Sequence, residues 1–441
     1  MGDRSVSGPK EYSGDHDVVA ARALLLEAFE VATQTVSPAR LLPAYLPPLR
    51  NVGTTYLLAV GKAAASMARA ALDYYGQPLP GLVLTRYGHG LESLRNVDGL
   101  EVVEAGHPVP DAEGLNAARR VLELAESLGP EDQLLALLSG GGSALLAAPA
   151  PGITLEDKQQ VTRALLASGA SIREINCVRK HLSSIKGGRL ALAANPASVT
   201  TLIISDVVGD DPAMVASGPT VADLTTLAHA RRILELYNIE APACVQKALY
   251  DEANETPTSE WEVFQRGRTE VVGRARQALS AVGQFLSANG YQPIHLGDDI
   301  EGEAREVGMI QAALALHYQK KGQRFALISG GECTVHVNER GGSGGPNTEY
   351  LLALVQALGG AEGITAIACD TDGIDGTEDN AGALIDQTTL ARARDAQIDL
   401  QAALRMNQSY EAFAELGDLV MTGPTRTNVN DLRIVLVHPE I

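Results

Sequence analysis

One recurring pattern constrains this chain more than any other. A short, unbroken apolar run stops at glycine, serine or aspartate, often with a helical pattern behind it. Tyr56–Val60 ends on Gly61-Lys62 and opens an alanine-rich stretch, Ala63–Tyr74. Leu134–Leu138 ends on Ser139-Gly140-Gly141-Gly142-Ser143, and Thr201–Ile204 on Ser205-Asp206. Phe325–Ile328 leads into Ser329-Gly330-Gly331-Glu332, and Ile364–Ala368 into Asp370-Thr371-Asp372-Gly373. Strands covered on both faces read as continuous apolar runs, and in open α/β sheets ligands sit at the carboxyl ends of the strands. The pattern therefore predicts an α/β protein with two domains, each a mostly parallel sheet flanked by helices, and an inter-domain cleft. A length of 441 residues also exceeds one ordinary core. The stretch Ala241–Arg268, rich in Pro, Thr and Glu, marks the junction. It divides the chain into an N-terminal Rossmann-like domain, 1–245, and a C-terminal α/β domain, 246–441.

Local signals fill in the helices. Thr154 with Asp157 and Ser171 with Glu174 read as capping boxes, the first helix closing at Gly169. Val271–Ala288 and Glu303–Lys320 read as long amphipathic helices. The spacing predicts a further helix over Ile172–Lys186. Ile175, Val178, Leu182 and Ile185 form its apolar stripe, bordered by Asn176, Arg179, Ser183 and Lys186. Arg173, Lys180, His181 and Arg189 add positive charge nearby, which suits a pocket for an anion, although surface ion pairs would use the same residues.

The chemistry-bearing residues collect at the strand ends. A turn of small residues such as Ser139–Ser143 lets backbone N–H groups converge, and a following helix adds partial positive charge, so phosphate is favoured there. Lys62, between a strand end and a helix start, adds a full charge to the same kind of field. Asp206, Asp210 and Asp211 form one carboxylate group, and Asp370, Asp372 and Asp375 another; either could hold a hard cation or orient an acceptor hydroxyl. The DTDGID run lacks the acidic twelfth residue of a calcium loop.

Several classes of function are excluded or disfavoured. Neither G-x-G-x-x-G nor G-x-x-x-x-G-K-[ST] occurs, so a dinucleotide fingerprint and a Walker loop are both absent, and His107 and His181 have no serine or cysteine partner by spacing. The four cysteines have no zinc-type spacing, and a net charge of −19 opposes general nucleic-acid binding. No apolar run is long enough for a membrane span, and Met1–Asp17 is polar, so a reducing cytoplasm is the expected compartment.

Nine segments, in order along nearly the whole chain, resemble the type-2 glycerate kinases, whose C-terminal half is known as the MOFRL domain. They are AVGKAAASMARAA (59–71), EAGHPVPDAEG (104–114), LLSGGGSALLAAP (137–149), NCVRKHLSSIKGGRLA (176–191), IISDVVGDDPAMVASGPTVAD (203–223), LGDDIEGEARE (296–306), LISGGECTVHV (327–337), DTDGIDGTEDNAGA (370–383) and TGPTRTNVNDL (422–432). The resemblance implies ATP-dependent phosphorylation of D-glycerate at the 2-hydroxyl, with Mg²⁺. It implies Lys62 as the catalytic lysine, with Asp206 or Asp372 as metal ligand or hydroxyl-orienting group. The glycine turns Ser139-Gly140-Gly141-Gly142-Ser143 and Gly330-Gly331 would receive ATP phosphates, and Arg179, Lys186, Asn347 and Arg426 the substrate. Expected partners are ATP and D-glycerate, with a homodimer as candidate assembly and neither nucleic acid nor membrane. Two other readings remain: an NAD(P)-dependent hydroxypyruvate reductase, the older name for such proteins, and a non-catalytic sugar-acid-binding protein. The segment also departs from the family. Where members commonly read GRGGRNQE, this chain has Gly342-Ser343-Gly344-Gly345-Pro346-Asn347-Thr348-Glu349, so Pro346 replaces an arginine. Arg426 stands where many members have glycine and is expected to supply the missing charge.

Overall fold

The computed structural model describes residues 14–337 and 341–440. Two compact units emerge, and both are discontinuous in sequence. One comprises Thr33–Ala278 with Pro424–Asn430, and the other residues 14–32, Leu279–Gly423 and 431–440. The sequence division, by contrast, cut the chain once, at 245/246. The stretch 241–268 folds inside the first unit, with short helices at Ala243–Leu249 and Glu262–Arg266.

The first unit is built on an all-parallel sheet of β1 (Thr55–Val60), β2 (Gly81–Arg86), β3 (Leu100–Ala105), β4 (Gln133–Ser139), β5 (Ser198–Ile204) and β6 (Arg268–Gly273). The spatial order is β3-β2-β1-β4-β5-β6. The direction of progress reverses between β1 and β4, and a crevice opens outside the carboxyl ends at such a switch point. Every residue of β4 is buried, which explains its unbroken apolar run. The helix Ala64–Tyr75 turns Ala64, Ala65, Met67, Ala68, Ala71 and Leu72 inward and stops at Gly76, whose φ of 65° is the left-handed conformation that glycine adopts at least cost. Its alanines let it lie close to the sheet.

Both expected capping boxes are present, at Thr154/Asp157 and Ser171/Glu174. The helix expected over Ile172–Lys186 ends earlier, spanning Ile172–His181 with Leu182 as its cap. The chain then turns, and Ser183 forms a bridge to Pro149. Ile175, Val178, Leu182 and Ile185 are all buried nonetheless. Their spacing recorded burial, which a turn packed on the same core satisfies as well as a helix does. Val271–Ala288 likewise divides into β6 and a helix at Ala275–Ala288.

The second unit carries β7 (Gln292–Gly297), β8 (Gly302–Glu303), β9 (Phe325–Gly331), β10 (Cys333–Thr334), β11 (Ile364–Asp370), β12 (Gly382–Ile385), β13 (Leu419–Val420) and β14 (Asp431–Val437). Its main sheet runs β13-β12-β11-β14-β9-β7, while β8 and β10 pair separately. Only β7 and β9 are parallel neighbours in that sheet; the other four pairs are antiparallel. The expectation of a second mostly parallel sheet is therefore corrected to a mixed one. A fully buried run such as β14 reports cover on both faces but carries no record of direction. Helices Ala304–Gln319 and Pro346–Leu358 supply much of the cover. Among the described residues, no helix is long and apolar enough to cross a membrane.

Candidate active site

At the switch point the turns after β1 and β4 are stitched together. Gly61 has φ 124°, and a Cβ there would lie 2.2 Å from Ser139 Oγ, so only glycine lets the two strand ends meet. The Lys62 amide donates to the Gly140 carbonyl at 2.8 Å, and the Ala63 amide to Ser139 Oγ at 3.0 Å. Thr85 Oγ1 donates to the Gly61 carbonyl at 2.9 Å, and His89 Nδ1 lies 3.3 Å from the Lys62 carbonyl. These bonds fix the backbone that carries the half-buried Lys62 side chain.

The glycine turn has little room to spare. A Cβ at Gly140 would strike Asp206 Oδ2 and Asn428 Nδ2, at 1.8 and 2.4 Å. One at Gly141, which has φ 81°, would be pinched between the His107 ring at 3.1 Å and Lys62 Cγ at 3.2 Å. Asn428 Nδ2 donates to Asp206 Oδ2 at 3.1 Å. Lys62, the Ser139–Ser143 turn and Asp206 therefore converge, with His107 and Asn428 beside them. Beyond the turn, Ser143 Oγ lies 2.8 Å from Ser217 Oγ, and Ser217 Oγ donates to Asn176 Oδ1 at 3.4 Å. Ala216 and Ser217 have φ of 52° and 61°. Such left-handed conformations cost on the order of 1 kcal/mol each for residues with a Cβ and concentrate at functional sites.

Next to the turn lies a group of cations. Lys186 is buried, and its ammonium donates to the Ser143 carbonyl at 2.7 Å, a contact that the early end of the preceding helix makes possible. Lys158, 8% exposed, has a buried ammonium with no hydrogen-bond partner. Burial, reinforced by Arg179 and Arg189, pulls Lys158 down to about 7. Burial, then Lys158 and Arg179, holds Lys186 well below the usual lysine range, and burial lowers Arg179 too. The neighbouring cations are otherwise employed. Lys180 pairs with Asp223 at 3.2 Å, His181 lies 3.0 Å from Glu255, and Arg189 donates to the Lys180 carbonyl at 2.9 Å. Thus the basic stripe read from sequence separates into structural members and the set Lys158, Arg179 and Lys186.

Lys158 was missed, though a signal existed. It lies at i, i+3, i+7 with Val161 and Leu165, on the buried stripe of the helix Leu155–Ala167, where a lysine is out of place. Asn428 and Ser217 carried no such mark. Arg426 also lies in the first unit, through the returning segment Pro424–Asn430. Its carbonyl accepts from Ser66 Oγ, its φ is 60°, and its Nε is buried without a partner.

Other aspartates have local duties. Asp210 pairs with Arg274 at 3.3 Å and Arg276 at 3.0 Å, and Asp211 accepts from the Ala213 amide at 2.9 Å. In the second unit, Asp370 accepts from the Asp372 amide at 2.9 Å and Asp372 from the Ile374 amide at 2.8 Å, as turn aspartates do. Asp375 caps the helix Pro346–Leu358, accepting from the Asn347 and Thr348 amides at 2.9 Å each. Asn347 is fully buried and donates through Nδ2 to Asp431 at 2.7 Å. Pro346 occupies the first helical turn, where its missing N–H is no loss. Gly331 is required by backbone approach: a Cβ there would meet the Ile300 carbonyl at 2.3 Å, while one on Gly330 would be tight against the Asp431 carbonyl at 3.2 Å. The strand β10, not a helix, follows them.

Comparison with known proteins places the chain in a family. A model for a domain of unknown function, DUF4147, matches residues 24–250, and the MOFRL family model matches 325–431. A D-glycerate 2-kinase of Thermotoga maritima is 40% identical over 96% of this chain and 99% of its own length. The chain belongs to the type-2 glycerate kinase family. A crystal structure of glycerate kinase from Thermotoga maritima superposes with a TM-score of 0.83 at 39% identity, covering 95% of this chain and all of that one. A putative hydroxypyruvate reductase of Agrobacterium vitis is 49% identical, over 95% of both chains. The family therefore carries two activity names. The first turn of the sheet bears on them: Gly61-Lys62-Ala63-Ala64-Ala65-Ser66 keeps one glycine of the three in a dinucleotide fingerprint and places a lysine in that turn.

Proposed function

We propose that this chain transfers the γ-phosphoryl group of ATP to the 2-hydroxyl of D-glycerate. The observation that carries the reading is the convergence of Lys62, the Ser139–Ser143 turn and the Asp206–Asn428 pair at the switch point, next to cations that lack carboxylate partners. In this reading the turn receives phosphates, which need backbone donors and positive charge. Lys62 stabilises charge on the group in transit, the electrostatic part of catalysis. Arg179 and Lys186 hold the acceptor carboxylate, and Arg426 lends charge on the acceptor side. The glycerate hydroxyl passes its proton to solvent as its oxygen bonds phosphorus, and the bond from phosphorus to the ADP oxygen breaks with its electron pair leaving on ADP. Among the described residues no group of three acidic, histidine or cysteine side chains could cage a metal. Mg²⁺ in such enzymes takes one or two carboxylates and completes its shell with phosphates and water, so one aspartate suffices. Asp206 is the fitting residue, and the ion would neutralise phosphate charge. Asp372 remains the alternative.

A reductase reading draws support from the strand order β3-β2-β1-β4-β5-β6, which dinucleotide-binding sheets share. The missing glycines of the first turn weigh against it. An ADP-release assay across two- and three-carbon hydroxy acids, run beside nicotinamide absorbance with hydroxypyruvate, separates the readings. The kinase reading requires ADP release that depends on D-glycerate and ceases in EDTA until Mg²⁺ or Mn²⁺ is restored. Oxidation of a nicotinamide cofactor without ADP release would overturn it.

A further inference from the structure

A buried ammonium without a partner is costly in any protein, and a buried one beside two further cations is costlier. Lys158 is in this position: its Nζ is shut off from solvent, makes no hydrogen bond, and stands on the inward stripe of its helix with Val161 and Leu165. A methionine there would fill the same space without charge. The charged groups that act on Lys158 are Arg179 from the helix Ile172–His181 and Arg189 from the helix Arg189–Ala193, while Lys186 from the turn between those helices is itself acted on by Lys158. Arg189 is held by carbonyl oxygens, and among the described residues no carboxylate acts on Lys158.

We infer that Lys158 is a specificity residue of the acceptor pocket, a third cation that joins Arg179 and Lys186 to bind the carboxylate of the hydroxy acid. This deepens the proposed function and rests on it. Lys186 links the group to the glycine turn through the Ser143 carbonyl, so an acid held by these cations lies beside the phosphate-binding loop. A bound carboxylate supplies the counter-charge that the protein omits and keeps Lys158 protonated. In the free protein burial brings that ammonium down to about 7. Acid binding above neutral pH therefore takes up a proton, and affinity falls by up to about tenfold per pH unit until the lysine of the complex titrates.

Calorimetric titration of D-glycerate into the full chain at pH 6.5 and 8.5, in buffers of different ionisation enthalpy, tests this alongside turnover. Wild-type protein is expected to bind more weakly at pH 8.5, with proton uptake. Lys158→Met should bind about tenfold to a hundredfold more weakly, the loss of one charge-assisted hydrogen bond, and with less proton uptake than the wild type, the remainder belonging to Lys186. Lys158→Arg should keep most of the affinity with a weaker pH dependence than the wild type. The KM for ATP should not move, and the Lys158→Met melting temperature should hold or rise, since a buried charge has gone. A Lys158→Met protein that binds D-glycerate as the wild type does at both pH values overturns the inference and leaves the kinase reading standing. A raised KM for ATP with unchanged acid binding overturns it in favour of a phosphate contact. Wild-type protein that neither binds nor phosphorylates D-glycerate overturns both.

Discussion

In the second unit buried charge is answered within the protein. Arg22 spans Asp386 and Asp418 at 2.6 and 2.7 Å, Arg392 adds a bond to Asp418 at 2.7 Å, and Arg305 joins Glu349 at 2.9 Å. Asp431 is paired with Arg433, and Asp375 is surrounded by donors. In the first unit, Lys158, Arg179 and Lys186 are buried or half-buried with no carboxylate against them among the described residues. The surplus lies beside the only one of the two main sheets that is parallel throughout. Breaking a satisfied buried pair costs stability, and a buried charge without a counter-charge is itself costly. In the proposed reading the paired charges serve the architecture and the unpaired ones await a ligand.

The largest effect should come from Lys62. Lys62→Ala is expected to lower kcat by about a hundredfold to a thousandfold, the loss expected for one preorganised electrostatic donor, with little change in melting temperature. Arginine should rescue poorly, because its planar fork does not reproduce a compact charge. Steady-state kinetics with thermal unfolding on the same preparation checks both parts; a normal kcat would place the chemistry elsewhere.

Asp375 should give the opposite signature. Asp375→Ala removes the acceptor for the Asn347 and Thr348 amides and the Thr348 hydroxyl, and should cost on the order of 3 kcal/mol in urea unfolding. Burial raises Asp375 from 3.8 to about 6, so between those values the folded state holds the extra proton. Its contribution to stability is full below pH 3.8 and is lost as pH rises through 6. Asp375→Asn should flatten that part of the stability profile. If Asp375→Ala lost activity while keeping its unfolding midpoint, the contrast between the units would fail.

A smaller change is expected at Arg426. Arg426→Ala should raise the KM for D-glycerate by about tenfold to a hundredfold and leave the KM for ATP nearly unchanged, as for one charge-assisted bond to a carboxylate. An unchanged KM would remove Arg426 from the acceptor side.

Much of the first unit was legible because its strands are covered on both faces and end at glycines that geometry demands. Gly61 and Gly140 are examples, each facing atoms a Cβ would strike. The capping boxes at Thr154 and Ser171 were legible for a similar reason: a side chain meets a fixed local need. Three things were not. The helix end at Leu182 was hidden, because burial of Ile185 continued the apolar spacing past it. The antiparallel run of β14 was hidden, because direction depends on how the chain returns. Lastly, Asn428 and Arg426 join the Lys62 unit from the far end of the chain, a tertiary event without local sequence cause.

Phosphorylation of D-glycerate at its 2-hydroxyl can be read from proton-coupled ³¹P NMR of the reaction of wild-type protein with ATP, Mg²⁺ and D-glycerate. An ester at the 2-oxygen places phosphorus next to a carbon bearing one hydrogen and gives a doublet, whereas an ester at the 3-oxygen adjoins a methylene and gives a triplet. A single new ester resonance, split as a doublet, is expected to appear together with ADP. A triplet, or no phosphate ester at all, would contradict it.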